Sequence, residues 1–133
     1  ELTISSAHRS PQRTQVLVEK FHKNGGMVII CGAGLAAHLA GVAAAHFPLP
    51  VIGVPLRGGG LGGLEGIDAL LATMQMPSGV PVATVGINNA KNAGLLAVQI
   101  LAVSDYALEE RMIAYKKKLE ESVEERAKNL DKQ

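Results

Sequence analysis

The chain has 133 residues, 13 Lys and Arg against 12 Asp and Glu, 47% hydrophobic residues, one Cys and no Trp. That is one domain with enough apolar residues for a core, neither a disordered tail nor a disulfide-stapled scaffold. A net charge of +1 with only two Tyr and two Phe argues against nucleic-acid binding. Gly, Pro and His break every apolar stretch before the ~20 residues that a membrane span needs.

In chain order, Leu2 to Ser5 reads as a short strand. Pro11 suits the first turn of a helix running to about Lys23, with Ser10 as its N-cap. Asn24-Gly25-Gly26 ends that helix, because Asn and Gly tolerate the left-handed cap conformation. Met27 to Cys31 is a continuous apolar run, the pattern of a strand covered on both faces. A small-residue helix is expected over Ala36 to Ala45, a strand over Val51 to Val54 and a helix from Gly66 to about Met74. A strand at Val82 to Val85 and a helix from about Ala90 to Ala102 complete the alternation.

Strands alternating with helices predict an α/β fold with a parallel sheet, flavodoxin-like in its order. In that order the first strand lies inside the sheet, between the second and third. The element at Leu2 then reads as the second strand, and a βα unit is expected ahead of Glu1.

From Asp105 onward the character changes: 8 acidic and 7 basic residues fall in the last 29 positions. Leu108, Met112, Tyr115, Leu119, Val123 and Leu130 form a narrow apolar stripe at helical spacing. The expected organisation is an α/β domain over 1–104 and a C-terminal amphipathic helix over 105–133, read as an arm between subunits or as a solvated surface helix.

Gly32-Ala33-Gly34-Leu35-Ala36-Ala37 matches the G-x-G-x-x-A dinucleotide fingerprint, which also needs an acidic residue about 20 positions on. No Asp or Glu lies between Glu19 and Glu65. What survives is a tight turn whose backbone can approach a small ligand. Ser6-Ala7-His8-Arg9 sits at the carboxyl end of the Leu2 strand, the edge where open α/β sheets bind ligands. A His there can move a proton near neutral pH, and an Arg can grip a phosphate with two parallel hydrogen bonds. His38, just past the Gly turn, could face the same edge. Gly58 to Gly63 reads as a lid or as a close backbone approach. Cys31, within an apolar strand, reads as a buried hydrophobe, and no metal-ligand spacing is legible.

Together these segments resemble the PurE family of purine biosynthesis in its bacterial, class I form. The resemblance is carried by Ser6-Ala7-His8-Arg9-Ser10-Pro11, Gly32-Ala33-Gly34 with Ala36-Ala37-His38-Leu39, and Pro50 to Pro55. Gln75-Met76-Pro77 with Gly79-Val80-Pro81-Val82, and Asn92 to Ala97, continue it in the same order. It implies a three-layer sandwich, a homo-octamer with C-terminal helices reaching across subunits, and a cytoplasmic enzyme without metal or organic cofactor. The implied reaction converts N5-carboxyaminoimidazole ribonucleotide to the 4-carboxy isomer, through release and recapture of CO2. The resemblance makes His8 the general acid/base and Arg9 the phosphate ligand. Ser6, Ala7, Ala33, Gly34, His38 and Leu39 match positions around the substrate and the CO2 pocket. The alternatives are a carboxylase using free CO2 on aminoimidazole ribonucleotide, and a non-catalytic nucleotide-binding module.

The chain departs from the family pattern in places. Leu35 stands for a Gly and Ala40 for a Pro, and Arg57 to Gly66 is about three residues longer than usual. The family's Gly-Ser-x-Ser-Asp phosphate loop has no match here, so this stretch alone is expected to bind substrate poorly.

Overall fold

From Pro11 onward, the runs that the breakers delimit become elements of an α/β fold. The computed structural model describes residues 1–58 and 63–130. In chain order the elements are α1 (Pro11–Lys23), β1 (Ile29–Gly34), α2 (Leu39–His46), β2 (Val51–Leu56), α3 (Ile67–Met74), β3 (Ala83–Thr84), α4 (Ala90–Ala102) and α5 (Tyr106–Leu130). Among the described residues the sheet has three strands in the order β1-β2-β3, all parallel. The register pairs Cys31 with Gly53 and Gly34 with Leu56, which brings the carboxyl ends of β1 and β2 level. This is the flavodoxin-like α/β class expected from the sequence, with its long C-terminal helix. Residues 59–62, most of the glycine-rich lid expectation, lie outside the described residues.

The first five residues of β2 are buried, and Ile52 is fully so, as a strand covered on both faces requires. Gly53 lies where α2 and α3 meet the sheet: a Cβ there would collide with the Thr73 side chain and come 3.5 Å from Cβ of Ala40. The hydroxyl of Thr73 is buried and donates to the Ala69 carbonyl at 2.7 Å. Val18, Cys31, Ala40, Ala43 and Val51 form the core where α1, α2, β1 and β2 converge. Burying side chains of this size contributes about 1.5–3 kcal/mol for each Val, which is what holds α1 and α2 on the sheet.

Three sequence expectations change. Leu2 to Ser5 pairs with no strand among the described residues, and Leu2 and Ile4 are 98% and 87% exposed. A cavity of about 430 Å³, lined by Glu1 to Ser5, α1 side chains and Val28 to Gly32, separates the segment from β1. Without a ladder partner about 4.8 Å away, alternation alone makes no strand. The helix expected from Ala36 starts at Leu39, because the His38 amide donates to the Ala36 carbonyl at 2.9 Å in a tight turn that replaces a helical bond. Ser10 stands at the N-cap of α1 but its side chain does not cap the helix. Its hydroxyl turns back to Ser6 instead, as described below.

The end of α1 follows expectation in detail. The amide of Gly26 donates to the Phe21 carbonyl at 2.9 Å and that of Gly25 to the His22 carbonyl at 3.0 Å, with Gly25 at φ +81°. That pair of bonds satisfies carbonyls the helix end would otherwise leave unpaired. By its contacts the chain forms two compact units, Glu1–Ala97 and Val98–Gln133. In the second, Asp105 accepts a hydrogen bond from the Leu108 amide at 3.1 Å, the N-cap the sequence anticipates. No residue of α5 is buried.

Candidate active site

The Ser6–Ser10 segment closes on itself. The amide and the hydroxyl of Ser10 both donate to the Ser6 carbonyl, at 2.8 and 3.0 Å. The Ser6 amide donates to the Ser10 hydroxyl at 3.0 Å, and the Arg9 amide donates to the Ser6 hydroxyl at 3.2 Å. Two serines four apart can do this because their short hydroxyls reach neighbouring backbone groups, and the same tendency disfavours them inside helices. Ser6 and Ala7 are half-buried, while His8 and Arg9 are exposed at the tip. Among the described residues the Arg9 guanidinium has no carboxylate partner, so it stays available to an anion.

The second half comes from the turn after β1. A side chain at Gly34 would be crowded: a Cβ there would lie 3.1 Å from the Leu56 carbonyl oxygen. Leu35 then turns the chain left-handed, Ala37 is buried, and His38 becomes the N-cap residue of α2. Ala33 and Leu39 are half-buried beside it. The two halves meet through imidazoles: Nε2 of His8 lies 2.9 Å from Nδ1 of His38. Their ring centroids are 4.9 Å apart at an interplanar angle of 84°. A contact across thirty positions thus joins the Ser-Ala-His-Arg loop to the Gly turn. It places a pair of imidazoles beside a turn of small residues, with Arg9 next in sequence to one of them.

The carboxyl ends of β2 and β3 add a part that sequence reasoning missed. Asn88, at φ 58°, donates its amide to the Pro55 carbonyl at 2.8 Å and accepts the Arg57 amide on Oδ1 at 2.9 Å. Arg57 also pairs with Glu65. The available signal was Asn88-Asn89 directly after a strand, since Asn tolerates the left-handed region. The Gln75 to Pro81 segment is not at this edge within the chain. It leads into the amino end of β3, where a Cβ on Gly41 would touch Met76 at 3.0 Å.

Cys31 is buried in β1, and burial pushes its thiol up to about 11, which makes it inert near neutral pH. The 430 Å³ cavity is lined by neither His8, Arg9 nor His38, so its size is no guide to the chemistry. Among the described residues, no three His, Cys, Asp or Glu side chains cluster as metal ligands. No described helix is long and apolar enough to cross a membrane.

Comparison with known proteins adds an independent finding. The family model described as AIR carboxylase matches residues 1–122. An N5-carboxyaminoimidazole ribonucleotide mutase of Pyrococcus horikoshii is 50% identical over 131 residues, which cover 98% of this chain and 72% of that protein. The protein of the same name from Synechocystis is 49% identical over 132 residues, covering 99% of this chain and 73% of its own length. A phosphoribosylaminoimidazole carboxylase of Schizosaccharomyces pombe is 50% identical over 99% of this chain but only 23% of its own length.

Proposed function

The chain belongs to the AIR carboxylase family, and from that premise we propose that it is an N5-carboxyaminoimidazole ribonucleotide mutase of purine biosynthesis. The supporting observation is the His8–His38 contact, which puts the Ser-Ala-His-Arg loop and the Gly turn into one site.

In this reading Arg9 holds the substrate phosphate, as its exposed and unpaired guanidinium allows. Ser6, Ala7, Ala33, Gly34, His38 and Leu39 surround the base and the CO2. Protonated His8 gives its proton to the exocyclic nitrogen as the N–carboxylate bond breaks, leaving the amine and CO2. The electron-rich C4 of the imidazole attacks the trapped CO2 and forms the new C–C bond. Neutral His8 then removes the C4 proton, which restores both the aromatic ring and the acid form of His8. The net change is an isomerisation that consumes no proton, metal or organic cofactor. A water-poor pocket of small residues retains the CO2 between the two steps. We assign the protein to the cytoplasm and to a homo-octamer, with the 105–133 segment that contains α5 as an intersubunit arm.

The test follows N5-carboxyaminoimidazole ribonucleotide by NMR, with and without added bicarbonate. Conversion at a rate independent of bicarbonate is expected. Carboxylation of aminoimidazole ribonucleotide with bicarbonate, and none of the N5-carboxy compound, would overturn the mutase in favour of the carboxylase. Turnover of neither would overturn the enzyme reading. His8→Asn should lower kcat by at least about 10²-fold, the usual scale of a general acid/base, with the melting transition unchanged.

A further inference from the structure

The contact between the two imidazoles constrains where protons can sit. Nε2 of His8 and Nδ1 of His38 are 2.9 Å apart, and among the described residues this is the sole hydrogen bond of either ring. Two ring nitrogens at hydrogen-bond distance hold one proton between them: one donates and the other accepts. Two arrangements are therefore available to the neutral pair. Either His8 donates from Nε2 and keeps a bare Nδ1, or His38 donates from Nδ1 and His8 carries its proton on Nδ1.

The reaction separates them. When His8 is the acid it is an imidazolium, and both its nitrogens carry protons. His38 must then be the acceptor, because a proton on Nδ1 of His38 would face the one on Nε2 of His8. His38 is the N-cap residue of α2, and the Val42 amide donates to its carbonyl at 3.0 Å.

From this geometry we propose that His38 is a positioning residue. By accepting the Nε2–H of His8 it holds His8 in one tautomer, so that Nδ1 of His8 is the atom that gives and later takes the proton. The consequence for the cycle is direct. When Nδ1 delivers its proton to the exocyclic nitrogen, Nε2–H stays bonded to His38. The lone pair left on Nδ1 points where the proton went and receives the C4 proton without a ring flip or a tautomer exchange. His38 thus does for a neutral partner what a carboxylate does for the imidazole of a serine-protease triad. The proposal rests on the mutase reading, which makes His8 an acid, while the tautomer can be read directly without turnover.

The experiment has two arms. In the first, the chain is labelled with ¹⁵N-histidine, and long-range ¹H–¹⁵N correlations are recorded near pH 8, above the usual imidazole range of about 6.5. Expected are a protonated Nε2 and a bare Nδ1 for His8, with a through-hydrogen-bond coupling from Nε2 to Nδ1 of His38. A His8 protonated on Nδ1 overturns the proposal, whatever the enzyme turns over. In the second arm, kcat and KM for N5-carboxyaminoimidazole ribonucleotide are measured for His38→Ala and His38→Asn. The amide oxygen of Asn takes the place of imidazole Nδ1 and can accept the same bond. His38→Ala should lose about 10- to 100-fold in kcat with KM within about threefold, part of the ~10²–10⁴ that a general acid/base supplies, and His38→Asn should recover most of it. A raised KM at unchanged kcat would make His38 a substrate contact, an unchanged kcat would remove it from the reaction, and Asn no better than Ala would remove the acceptor role. Each overturns the proposal. Wild-type chain that leaves the N5-carboxy compound unconverted would instead sink the mutase reading while the tautomer stands or falls on the first arm.

Discussion

The two compact units of this chain are built on opposite principles. In Glu1–Ala97, stability is packing: β2 is covered on both faces, and side chains as small as Ala40, Ala43 and Ala69 are at most 2% exposed. In Val98–Gln133, α5 runs for 25 residues without burying one of them. It holds its shape by an N-cap at Asp105 and by helix-favouring residues, while Leu119, Val123 and Leu130 stand exposed. The first unit should answer to changes of volume by a methyl group. The second should ignore them and answer to whatever covers its stripe.

Four changes test that contrast. Ile52→Ala, at a fully buried position, should cost about 2–5 kcal/mol in denaturant unfolding, because the tight surroundings cannot collapse into the space left. An effect under about 1 kcal/mol would mean that the sheet is loosely packed after all. The next depends on pH. Burial raises the Cys31 thiol from an ordinary 9.0 to about 11, so the stability tied to the neutral thiol is complete below pH 9 and fades towards pH 11. Across that window the unfolded chain ionises first and the loss approaches about 2–3 kcal/mol. Cys31→Ala should flatten this part of the alkaline slope, and an identical slope in both proteins would refute the assignment.

Leu35→Gly should raise stability by about 1 kcal/mol, since glycine reaches the left-handed φ of 56° without the penalty that a Cβ imposes. A loss would show that the packing of the Leu35 side chain outweighs the strain. The smallest effect is expected on α5. Paired substitution of Leu119 and Val123 by Ser should leave unfolding of the first unit within about 0.5 kcal/mol. Sedimentation should nevertheless show a lower mass if the stripe joins subunits. A drop in stability at constant mass would instead place the stripe against its own domain.

The same contrast explains how much could be read from residue order. Local grammar was legible: the bounds of α1 and α4, the cap at Asp105 and the glycine end of α1 follow from neighbours a few positions apart. What depends on distant partners was not. Leu2 to Ser5 alternates like a strand, yet pairing needs a second chain segment at its side. Met27 to Cys31 did become a strand, but shifted to Ile29–Gly34, because the ladder with β2 and not the apolar run sets its limits. The helix start slipped from Ala36 to Leu39, since nothing in that run announces the tight turn from Ala36 to His38. His8 and His38 were each visible at the carboxyl edge as separate candidates. Their mutual contact is a product of topology, and Asn88 joined the edge unseen for the same reason.

The self-closed Ser6–Ser10 loop carries one more implication. Four hydrogen bonds between two residues and their immediate neighbours fix the backbone beneath His8, and none of them reaches the sheet. The backbone under that histidine is therefore a local property, set by a pentapeptide, while its ring is held across the fold by His38. Random variation away from this loop and from the turn that carries His38 can erode thermal tolerance for a long way before it tilts the imidazole. In a lineage this would appear as enzymes that differ widely in heat resistance yet keep similar turnover, with the loop as the last piece to drift.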